Sequence, residues 1–362
     1  MSIVIVNAAA LRAGGALTIY RQFIGHLPEN IGDNKYYIFV DPSMEQPVID
    51  GVTYIHDANH SKLHYIQWSL FGLNRWLKCH NITPSIIVSL QNVCTVTDCK
   101  QVVYYHQSLP FYKKRWSFLK ASERTMAFYK YIYPYFVKCT LSANTEVVVQ
   151  IPFIKKGFVD KFKCNPDKVH VMFPDVERID VQKIEPHKFN DGMFHFIYPA
   201  SSIPYKAHRT LVNALAILKA KNATQAEHIR VHLTFREDEY QALYKYIEEQ
   251  NLCRQFVFDG GMQHERLLTY YKGADGLLFP STIETLGLPL LEAAAFGLPI
   301  IAADLDYARE VMYDYEGVRF VECYNYEKWA AEIERVCTAP QKYQPLKPKD
   351  SSWKDFFALI DK

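Results

Sequence analysis

The sequence predicts an α/β protein with two domains, each built on a doubly wound parallel sheet. Apolar segments of strand length alternate with segments of helical spacing through both halves of the chain. A polar stretch with neither pattern, residues 177–192, separates the two series and is interpreted as a linker. The length of 362 residues also exceeds what one hydrophobic core usually accommodates.

The predicted N-terminal domain covers residues 1–176 and begins with the apolar run 2–6, which is typical of a buried parallel strand. Further strands are predicted at 35–41, 51–56, 84–90, 101–106, 139–143 and 168–175. Helical stretches are predicted at 16–27, 61–79, 112–138 and 145–158.

The predicted C-terminal domain covers residues 193–345 and repeats the alternation. One of its helices should begin near Leu288, because Pro289 suits the first turn of a helix. A short amphipathic helix near the end of the chain, within 346–362, carries three large aromatic residues that favour docking. The other strands are predicted at 194–200, 229–235, 255–261, 275–279 and 298–304, and the other helices at 207–220, 237–250 and 264–272.

Composition restricts the compartment and the partners. A net charge of +2 does not indicate nucleic acid as a partner. None of the eight cysteines forms a Cys-x-x-Cys pair, which favours thiols in a reducing compartment. The first residues lack the pattern of a secretory signal, and no apolar run is long enough to span a membrane. We therefore expect a cytoplasmic protein.

The most informative pattern lies between the strands predicted at 275–279 and 298–304. Gly287 keeps the connecting loop slim, and the helix starting at Leu288 offers backbone N–H groups to an anion. Glu284 lies in the loop and Glu292 about one turn into the helix, so both carboxylates can face one crevice. Because such a carboxylate suits a vicinal diol such as ribose, the pattern predicts a site for phosphate and sugar groups.

Three other places are candidates for ligand contacts. Lys206, followed by His208 and Arg209, puts positive charge at a helix start, where a bound anion would relieve the unfavourable dipole interaction. His106 ends a predicted strand, and Gly15 belongs to a loop after the first strand that is typical of turns facing phosphate or sugar. That loop lacks the G-x-G-x-x-G fingerprint, which argues against a dehydrogenase. The alternative for the Lys206 string is a surface basic patch, and the alternative for His106 is a structural histidine.

The string from Phe279 to Asp304 resembles the donor-site signature of the retaining glycosyltransferases of family four, which have the GT-B fold. The shared pattern is Glu, seven residues and Glu, with Gly-Leu-Pro inside it. The resemblance is specific over 254–310 and looser over 1–190. It implies two Rossmann-like domains that face a cleft, and a C-terminal helix that crosses back to the first domain.

The resemblance also implies roles for individual residues. Lys206 would bind the donor diphosphate, Glu292 the ribose and Glu284 the donor sugar. Family members usually carry an arginine five residues before the lysine, where this sequence has Ser201, and we predict that Arg209 compensates. The predicted catalytic residues are His106, Lys206 and Glu284, and the predicted donor-binding residues are Gly15, Arg209, Ser281, Leu286, Gly287, Leu288 and Glu292.

The implied activity is transfer of a sugar from a nucleotide-diphosphate sugar to a glycan or lipid-linked acceptor, with retention, in bacterial surface polysaccharide synthesis. No metal or resident cofactor is expected, and Asp304-Leu305-Asp306 is interpreted as an ordinary strand-to-helix turn. The alternatives are a non-catalytic sugar-nucleotide-binding protein, or a phosphorylase or epimerase of the same fold.

A mixture of cations and aromatic residues over 113–135 suggests a further partner. One hypothesis is peripheral contact with an anionic membrane surface that brings a lipid-linked acceptor to the enzyme. The alternative is a solvated face over core aromatic residues.

Overall fold

A computed structural model describes residues 2–11, 14–56, 62–176, 179–347 and 349–361. The chain forms two compact units: unit 1 comprises Met1–Asp175 and Asp350–Lys362, and unit 2 comprises Val176–Lys349. Each contains a parallel sheet flanked by helices, which confirms the predicted fold class. Arg12 of the predicted glycine loop and residues 177–178 of the predicted linker lie outside the described residues.

The seven strands of unit 1 are all parallel and have the order β3-β2-β1-β4-β5-β6-β7. The order reverses between β1 and β4, so the loops after these two strands diverge and leave a crevice at their carboxyl ends. The strands are β1 (Ile3–Asn7), β2 (Lys35–Val40), β3 (Val52–His56), β4 (Ile86–Ser89), β5 (Lys100–Tyr104), β6 (Thr145–Val149) and β7 (Val169–Val171).

Helices cover both faces of this sheet, because side chains that alternate along a strand form two separate cores. Val4 and Val6 of β1 pack on one face, and Ile5 packs on the other with Leu73 and Leu77. The helices are α1 (Gly14–Asn30), α2 (Lys62–Gln67), α3 (Leu73–Cys79), α4 (Arg124–Ala127), α5 (Tyr133–Thr140) and α6 (Pro152–Phe162).

Two π-helical turns interrupt the helical stretches of unit 1. One, Trp68–Gly72, joins α2 to α3, and the other, Phe128–Ile132, joins α4 to α5. Pro134 explains the second turn, since it lacks an N–H and its ring would clash with the carbonyl one turn earlier. Gly72 permits the first, because a Cβ there would lie 2.7 Å from the Trp68 ring.

Three predictions for unit 1 are wrong. The strand predicted at 139–143 is the end of α5 and the loop after it. The helix predicted from 145 is instead strand β6 followed by α6, since the buried β-branched run of β6 fills the sheet between β5 and β7. The predicted helix from 112 begins only after an irregular segment, 112–120.

The last helix of the chain, α14 (Trp353–Asp361), packs in the core of unit 1. The rings of Phe23 and Phe357 stack with their centroids 5.2 Å apart. The Trp353 indole N–H donates to Gln22 Oε1 at 3.1 Å. Unit 1 is therefore completed by a helix that is remote in sequence.

Unit 2 repeats the architecture with six parallel strands in the order β10-β9-β8-β11-β12-β13, which reverses between β8 and β11. The strands are β8 (Phe194–Tyr198), β9 (Ile229–Leu233), β10 (Phe256–Phe258), β11 (Gly276–Phe279), β12 (Ile300–Ala303) and β13 (Val318–Val321). The helices are α7 (His208–Lys221), α8 (Ala223–Glu227), α9 (Gln241–Glu249), α10 (His264–Gly273), α11 (Leu288–Ala295), α12 (Asp306–Val311) and α13 (Tyr326–Thr338). The predicted start of a helix at Leu288 is confirmed.

Candidate active site

The loops that follow β8 and β11 meet at the topological switch point of unit 2. Lys206 lies in the first loop and Glu284 in the second, and the Lys206 ammonium donates to Glu284 Oε1 at 2.5 Å. Both side chains are largely shielded from water, with 15% and 14% of their surfaces exposed. The structure therefore brings together two of the predicted catalytic residues, which are separated by 78 positions in sequence.

Backbone contacts hold these two loops to each other. Lys206 ends a 3-10 turn, Pro204–Lys206, and its carbonyl accepts a hydrogen bond from the Tyr198 hydroxyl at 2.6 Å. The backbone N–H and the hydroxyl of Thr282 both donate to the Tyr205 carbonyl, at 2.9 and 2.8 Å. These hydrogen bonds restrain the backbone around Lys206, which limits the positions that its flexible side chain can bring the ammonium group to.

The loop from β11 to α11 has the conformation that its sequence requires. Gly287 has φ 73°, a left-handed value that glycine adopts without steric cost, and Leu288 begins α11. Ser281 is fully buried, and its carbonyl accepts a hydrogen bond from the Tyr307 hydroxyl at 2.7 Å. Leu286 is also buried, so these two residues shape the loop from inside while Gly287 and Leu288 form its turn into the helix.

Glu292 on α11 is held by two side chains of α10. Its Oε2 accepts a hydrogen bond from the Tyr271 hydroxyl at 2.9 Å, and its Oε1 lies 3.1 Å from His264 Nε2. Each carboxylate oxygen therefore has one protein partner, which fixes the plane of the group. The part played by His264 was not predicted, since helical spacing within α10 does not show which face meets α11.

Arg209 is placed differently from the expectation. The argument from helical spacing assumed that Lys206 belongs to the helix, but Ala207 has φ 54°, and α7 begins only at His208. The Arg209 side chain is exposed, and its guanidinium carbon lies 4.6 Å from the centroid of the Tyr246 ring. This cation–π contact occupies the outer side of the helix.

His208, the first residue of α7, is buried with 3% of its surface exposed. Its ring contacts the aromatic rings of Tyr198, Phe235 and Tyr240. Burial and then the Lys206 charge lower the pKa of His208 to about 3. The imidazole is therefore neutral in the folded protein at physiological pH.

This burial predicts a dependence of stability on pH. Below a pH of about 6.5 the unfolded chain binds a proton at His208 that the folded chain rejects, so stability falls as pH decreases. Between the unfolded pKa and the folded pKa of about 3, the free energy of unfolding should fall by about 1.4 kcal/mol for each unit by which the pH decreases. Phenylalanine does not titrate, so His208→Phe should lack this pH dependence. As pH falls from 6.5 to 5, its free energy of unfolding should rise by about 2 kcal/mol relative to that of the wild type.

Urea unfolding of unit 2 at several pH values measures this effect. His228→Phe serves as the control, because His228 is an exposed histidine of the same unit. Parallel stability curves for wild type and His208→Phe would contradict the prediction.

The other two candidates lie in unit 1. β5 ends at Tyr104, two residues before His106, and the His106 backbone N–H donates to Asn92 Oδ1 at 2.6 Å. His106 borders a cavity of about 260 Å³ at the carboxyl ends of the strands, and burial lowers its pKa to about 4. Gly15 is exposed in the first turn of α1, next to Ala16, which lines that cavity.

The Asp-x-Asp string forms the predicted strand-to-helix turn. Asp304 follows β12, and Asp306 is the first residue of α12. Both oxygens of Asp304 accept from Arg309, at 2.5 and 2.9 Å, and this contact lowers the pKa of Asp304. Within the described residues, no group of three or more His, Cys, Asp or Glu side chains is arranged to hold a metal ion.

Comparisons with known proteins show which families and folds this chain is similar to. Residues 181–352 match the family described as Glycosyl transferases group 1. The O-antigen chain mannosyltransferase RfbU of Salmonella typhimurium is 22% identical over 241 residues, which are 66% of this chain and 62% of that protein. A D-inositol 3-phosphate glycosyltransferase of Rhodococcus erythropolis is 35% identical over 82 residues, 23% of this chain and 19% of that one. The matched segments thus span less than two thirds of these curated relatives.

Solved structures share the fold over most of the chain. WaaG, a glycosyltransferase involved in lipopolysaccharide biosynthesis, superposes with a TM-score of 0.67 at 15% identity, covering 93% of this chain and 90% of that one. HepE from Anabaena, solved with UDP and glucose, gives 0.61 at 12% identity with the same coverage of 93% and 90%. Both units thus have the GT-B fold, and the match to the group 1 glycosyl transferases covers residues 181–352, which lie almost entirely in unit 2.

Proposed function

We propose that this protein transfers a sugar from a nucleotide-diphosphate sugar to a glycan or lipid-linked acceptor, with retention of anomeric configuration. The observation that carries the proposal is the shielded contact between Lys206 and Glu284 at the switch point of unit 2. Glu292 lies on α11, the helix that follows the loop of Glu284, and its carboxylate is held by Tyr271 and His264. Unit 2 then offers a cation and two oriented carboxylates at the loop and helix that follow β11.

These groups match the electrostatic demands of the reaction. The departing diphosphate gains negative charge in the transition state, and a preorganised ammonium at Lys206 stabilises it. The glycine turn at Gly287 lets phosphate approach the backbone of α11, whose N-terminal end carries partial positive charge. Glu284 accepts hydrogen bonds from the donor sugar hydroxyls, and Glu292 accepts them from the ribose. We propose that the reaction needs no resident metal or cofactor.

The relatives support a narrower proposal for the substrate. RfbU is named as an O-antigen chain mannosyltransferase, WaaG acts in lipopolysaccharide biosynthesis, and HepE was solved with UDP and glucose. We therefore propose a hexose donor and a role in bacterial surface polysaccharide synthesis. Retention follows from the resemblance of the donor-site string to the retaining enzymes.

A panel of nucleotide sugars tests the donor site. The matching donor should raise the unfolding temperature of unit 2, since a ligand at about 100 times its Kd adds about 2.7 kcal/mol of stability. Glu292→Gln should weaken that donor by roughly 10- to 150-fold, because hydrogen bonds to a charged group contribute about 1.5–3 kcal/mol. Glu322→Gln, an exposed glutamate of the same unit, is the control.

Assays of turnover with the bound donor separate the alternatives. Transfer to an acceptor supports the proposal. Binding without transfer or donor hydrolysis would indicate a non-catalytic binding protein. A strict requirement for inorganic phosphate would indicate a phosphorylase.

We also propose that unit 1 contacts an anionic membrane surface through residues 113–135. This segment has six lysines and arginines and one glutamate, in a chain whose net charge is only +2. Leu119 is 92% exposed and Phe118 45%, and Tyr135 further along is 70% exposed. Trp116, in contrast, is buried and is not available to lipid. Exposed apolar side chains beside cations are typical of interfacial binding. None of the described helices has the length and apolar character needed to span a bilayer.

Reversing the charge of Lys113, Lys114 and Arg115 to glutamate should abolish co-sedimentation with vesicles that contain phosphatidylglycerol. The attraction acts between exposed charges, so about 0.5 M salt should release the wild-type protein as well. The matched control reverses three exposed cations of unit 2: Lys245, Arg254 and Lys328. Equal loss of binding in both variants would reject residues 113–135 as the contact.

A further inference from the structure

Most of the stretch predicted as a linker is bound to unit 2. Residues 181–191, the entry segment, lead into β8 and lie against α10. The Lys272 ammonium donates to two backbone carbonyls of this segment, at 2.8 and 2.5 Å. The His187 backbone N–H donates to the Thr269 carbonyl at 2.9 Å. Gly273 permits this approach, because a Cβ there would overlap the His187 carbonyl oxygen. The entry segment therefore belongs to the packed structure of unit 2.

Aromatic rings of the entry segment cover two histidines of the sheet. Phe189 stacks on the imidazole of His195 in β8, with the ring planes 9° apart and the centroids at 3.7 Å. The Phe189 ring also lies 4.9 Å from that of His232 in β9. The His187 ring stacks on Tyr270 of α10 at 4.3 Å. The two sheet histidines are thereby shielded from water, with 4% and 5% of their surfaces exposed.

His195 and His232 form the middle of a hydrogen-bonded chain that has a carboxylate at each end. His195 Nδ1 lies 2.9 Å from His232 Nε2. The other nitrogen of His195, Nε2, lies 2.8 Å from Asp191 Oδ1 of the entry segment. His232 Nδ1 lies 2.7 Å from Oδ2 of Asp259, which follows β10. The chain therefore connects the entry segment to the sheet through titratable groups alone.

Both carboxylates of the chain are ionised. Asp259 accepts a hydrogen bond at each oxygen, since its Oδ1 accepts from the Tyr270 hydroxyl at 3.0 Å. Burial acts to raise the pKa of Asp191, but hydrogen bonds from His195 and from the Met193 backbone lower it overall. An ionised carboxylate only accepts hydrogen bonds, so each ring nitrogen that faces one must carry a hydrogen.

This chain determines how many protons the two rings hold. One hydrogen is needed at each contact with a carboxylate, and one more between the two facing ring nitrogens. Three hydrogens are thus distributed over the four nitrogens of His195 and His232, whereas two neutral imidazoles carry only two. The pair therefore holds one added proton and one positive charge. Because the rings are coupled, that proton belongs to the pair and not to one residue.

Other charged and titratable groups also surround the pair. They are His187 and Asp191 of the entry segment, Arg230 of β9, Asp259 after β10, Arg266 and Tyr270 of α10, Asp275 before β11, and Lys342 beside Asp275. The carboxylates favour the first added proton, but a second one is opposed. Burial lowers the pKa of His195, and the charge on His232 lowers it further. A second proton would also place hydrogens on both facing nitrogens, so two donors would meet at 2.9 Å.

We propose that the His195–His232 pair is a pH-sensitive latch. With one added proton it holds the entry segment on unit 2, and a second proton separates the two rings and releases Asp191 and Phe189 from the sheet. The entry segment continues the chain that leaves unit 1 at Asp175. The latch therefore sets where along the sequence the connection between the units becomes fixed to unit 2. The proposal does not depend on sugar transfer.

The direction of the pH effect follows from linkage. A His195 ring exposed to water binds a proton at its ordinary pKa of about 6.5, while the latched ring resists it. The released form therefore binds more protons, and release is favoured as pH falls below about 6.5. Uptake of one proton changes the equilibrium by at most about tenfold per pH unit.

Nitrogen-15 NMR of protein with labelled histidines tests the proton count in the wild-type chain. At pH 7 the four ring nitrogens of His195 and His232 should give three protonated signals and one signal of an unprotonated acceptor. Signals that disappear in His195→Gln or in His232→Gln assign the two rings. Two unprotonated nitrogens would show a neutral pair and overturn the proposal.

Hydrogen exchange of the His187 amide, corrected for the pH dependence of the intrinsic rate, measures release. Its protection should fall by up to about tenfold per pH unit between pH 6.5 and 5, and by more than that of the β12 amides. In His195→Gln the protection of His187 should be lower at pH 6.5 and should no longer depend on pH, since glutamine does not titrate.

Two further variants separate the latch from the general charge of the segment. Asp191→Asn keeps an acceptor for His195 but removes the negative charge, and should lower the protection of His187 at pH 7 about fivefold. Asp180→Asn is the matched control, because Asp180 is exposed next to the entry segment and pairs with Lys183. It should leave the pH dependence as in the wild type. Protection that does not change with pH in the wild type, or that falls equally in His195→Gln, would overturn the latch.

Discussion

Replacing Glu284 by glutamine is expected to lower kcat/KM for transfer by about 10²- to 10³-fold, the cost of losing one preorganised polar contact to a transition state. Glutamine keeps the shape of the side chain and an oxygen for the Lys206 ammonium, which lies 2.5 Å from the native carboxylate. Alanine is a poorer probe, because it leaves a shielded ammonium unpaired, and breaking a buried pair costs about 3–5 kcal/mol. Initial rates over a range of donor concentrations measure the effect.

A charge exchange separates a chemical role of this pair from a structural one. Lys206→Glu combined with Glu284→Lys restores an ion pair between the two loops and should recover much of the stability. It should not recover transfer, since a carboxylate then faces the diphosphate. Substantial transfer by the exchanged protein, or near wild-type rates for Glu284→Gln, would remove both residues from the proposed mechanism.

The loop between β11 and α11 could be predicted because neighbouring residues in the sequence determine its conformation. A strand that ends in Pro-Ser, a glycine for the left-handed turn and a proline near the helix start determine the path from β11 to α11. Local sequence patterns could not predict the contact between Lys206 and Glu284. It depends on β8 and β11 being neighbours in the sheet, although β9 and β10 separate them in sequence.

Errors occurred where short apolar runs allow more than one structure. The sequence of β6 is too short for its periodicity to separate a strand from a buried helix, and the predicted helix followed from that ambiguity. The stretch 112–138 was predicted as continuous helix, whereas the π-helical turn before Pro134 redirects Tyr129 and Tyr133 toward the cavity. Over a single turn, the change from α-helical i→i+4 to π-helical i→i+5 backbone hydrogen bonds hardly alters the spacing of apolar residues, so the sequence pattern does not reveal it.

Trp353→Ala is expected to destabilise unit 1 by about 3–5 kcal/mol, the usual cost of truncating a buried tryptophan. Only 2% of the Trp353 surface is exposed, and its ring lies 6.2 Å from Phe23 and 6.0 Å from Tyr104 between centroids. Its indole also bonds Gln22, which in turn accepts from the Asp175 backbone N–H at 3.0 Å. The substitution therefore leaves a cavity. It also removes the hydrogen bond from α14 to Gln22 of α1, the residue that binds the Asp175 backbone.

Hydrogen exchange distinguishes this loss from general unfolding. The amides of β1, β4 and β5 should exchange faster in Trp353→Ala, while those of β8 and β11 in unit 2 keep their protection, because stability is distributed by cooperative unit. Lys354→Ala, an exposed neighbour on α14, should leave both units unchanged. Wild-type protection of β1, β4 and β5 in Trp353→Ala would show that α14 contributes little to unit 1, despite its buried aromatic face.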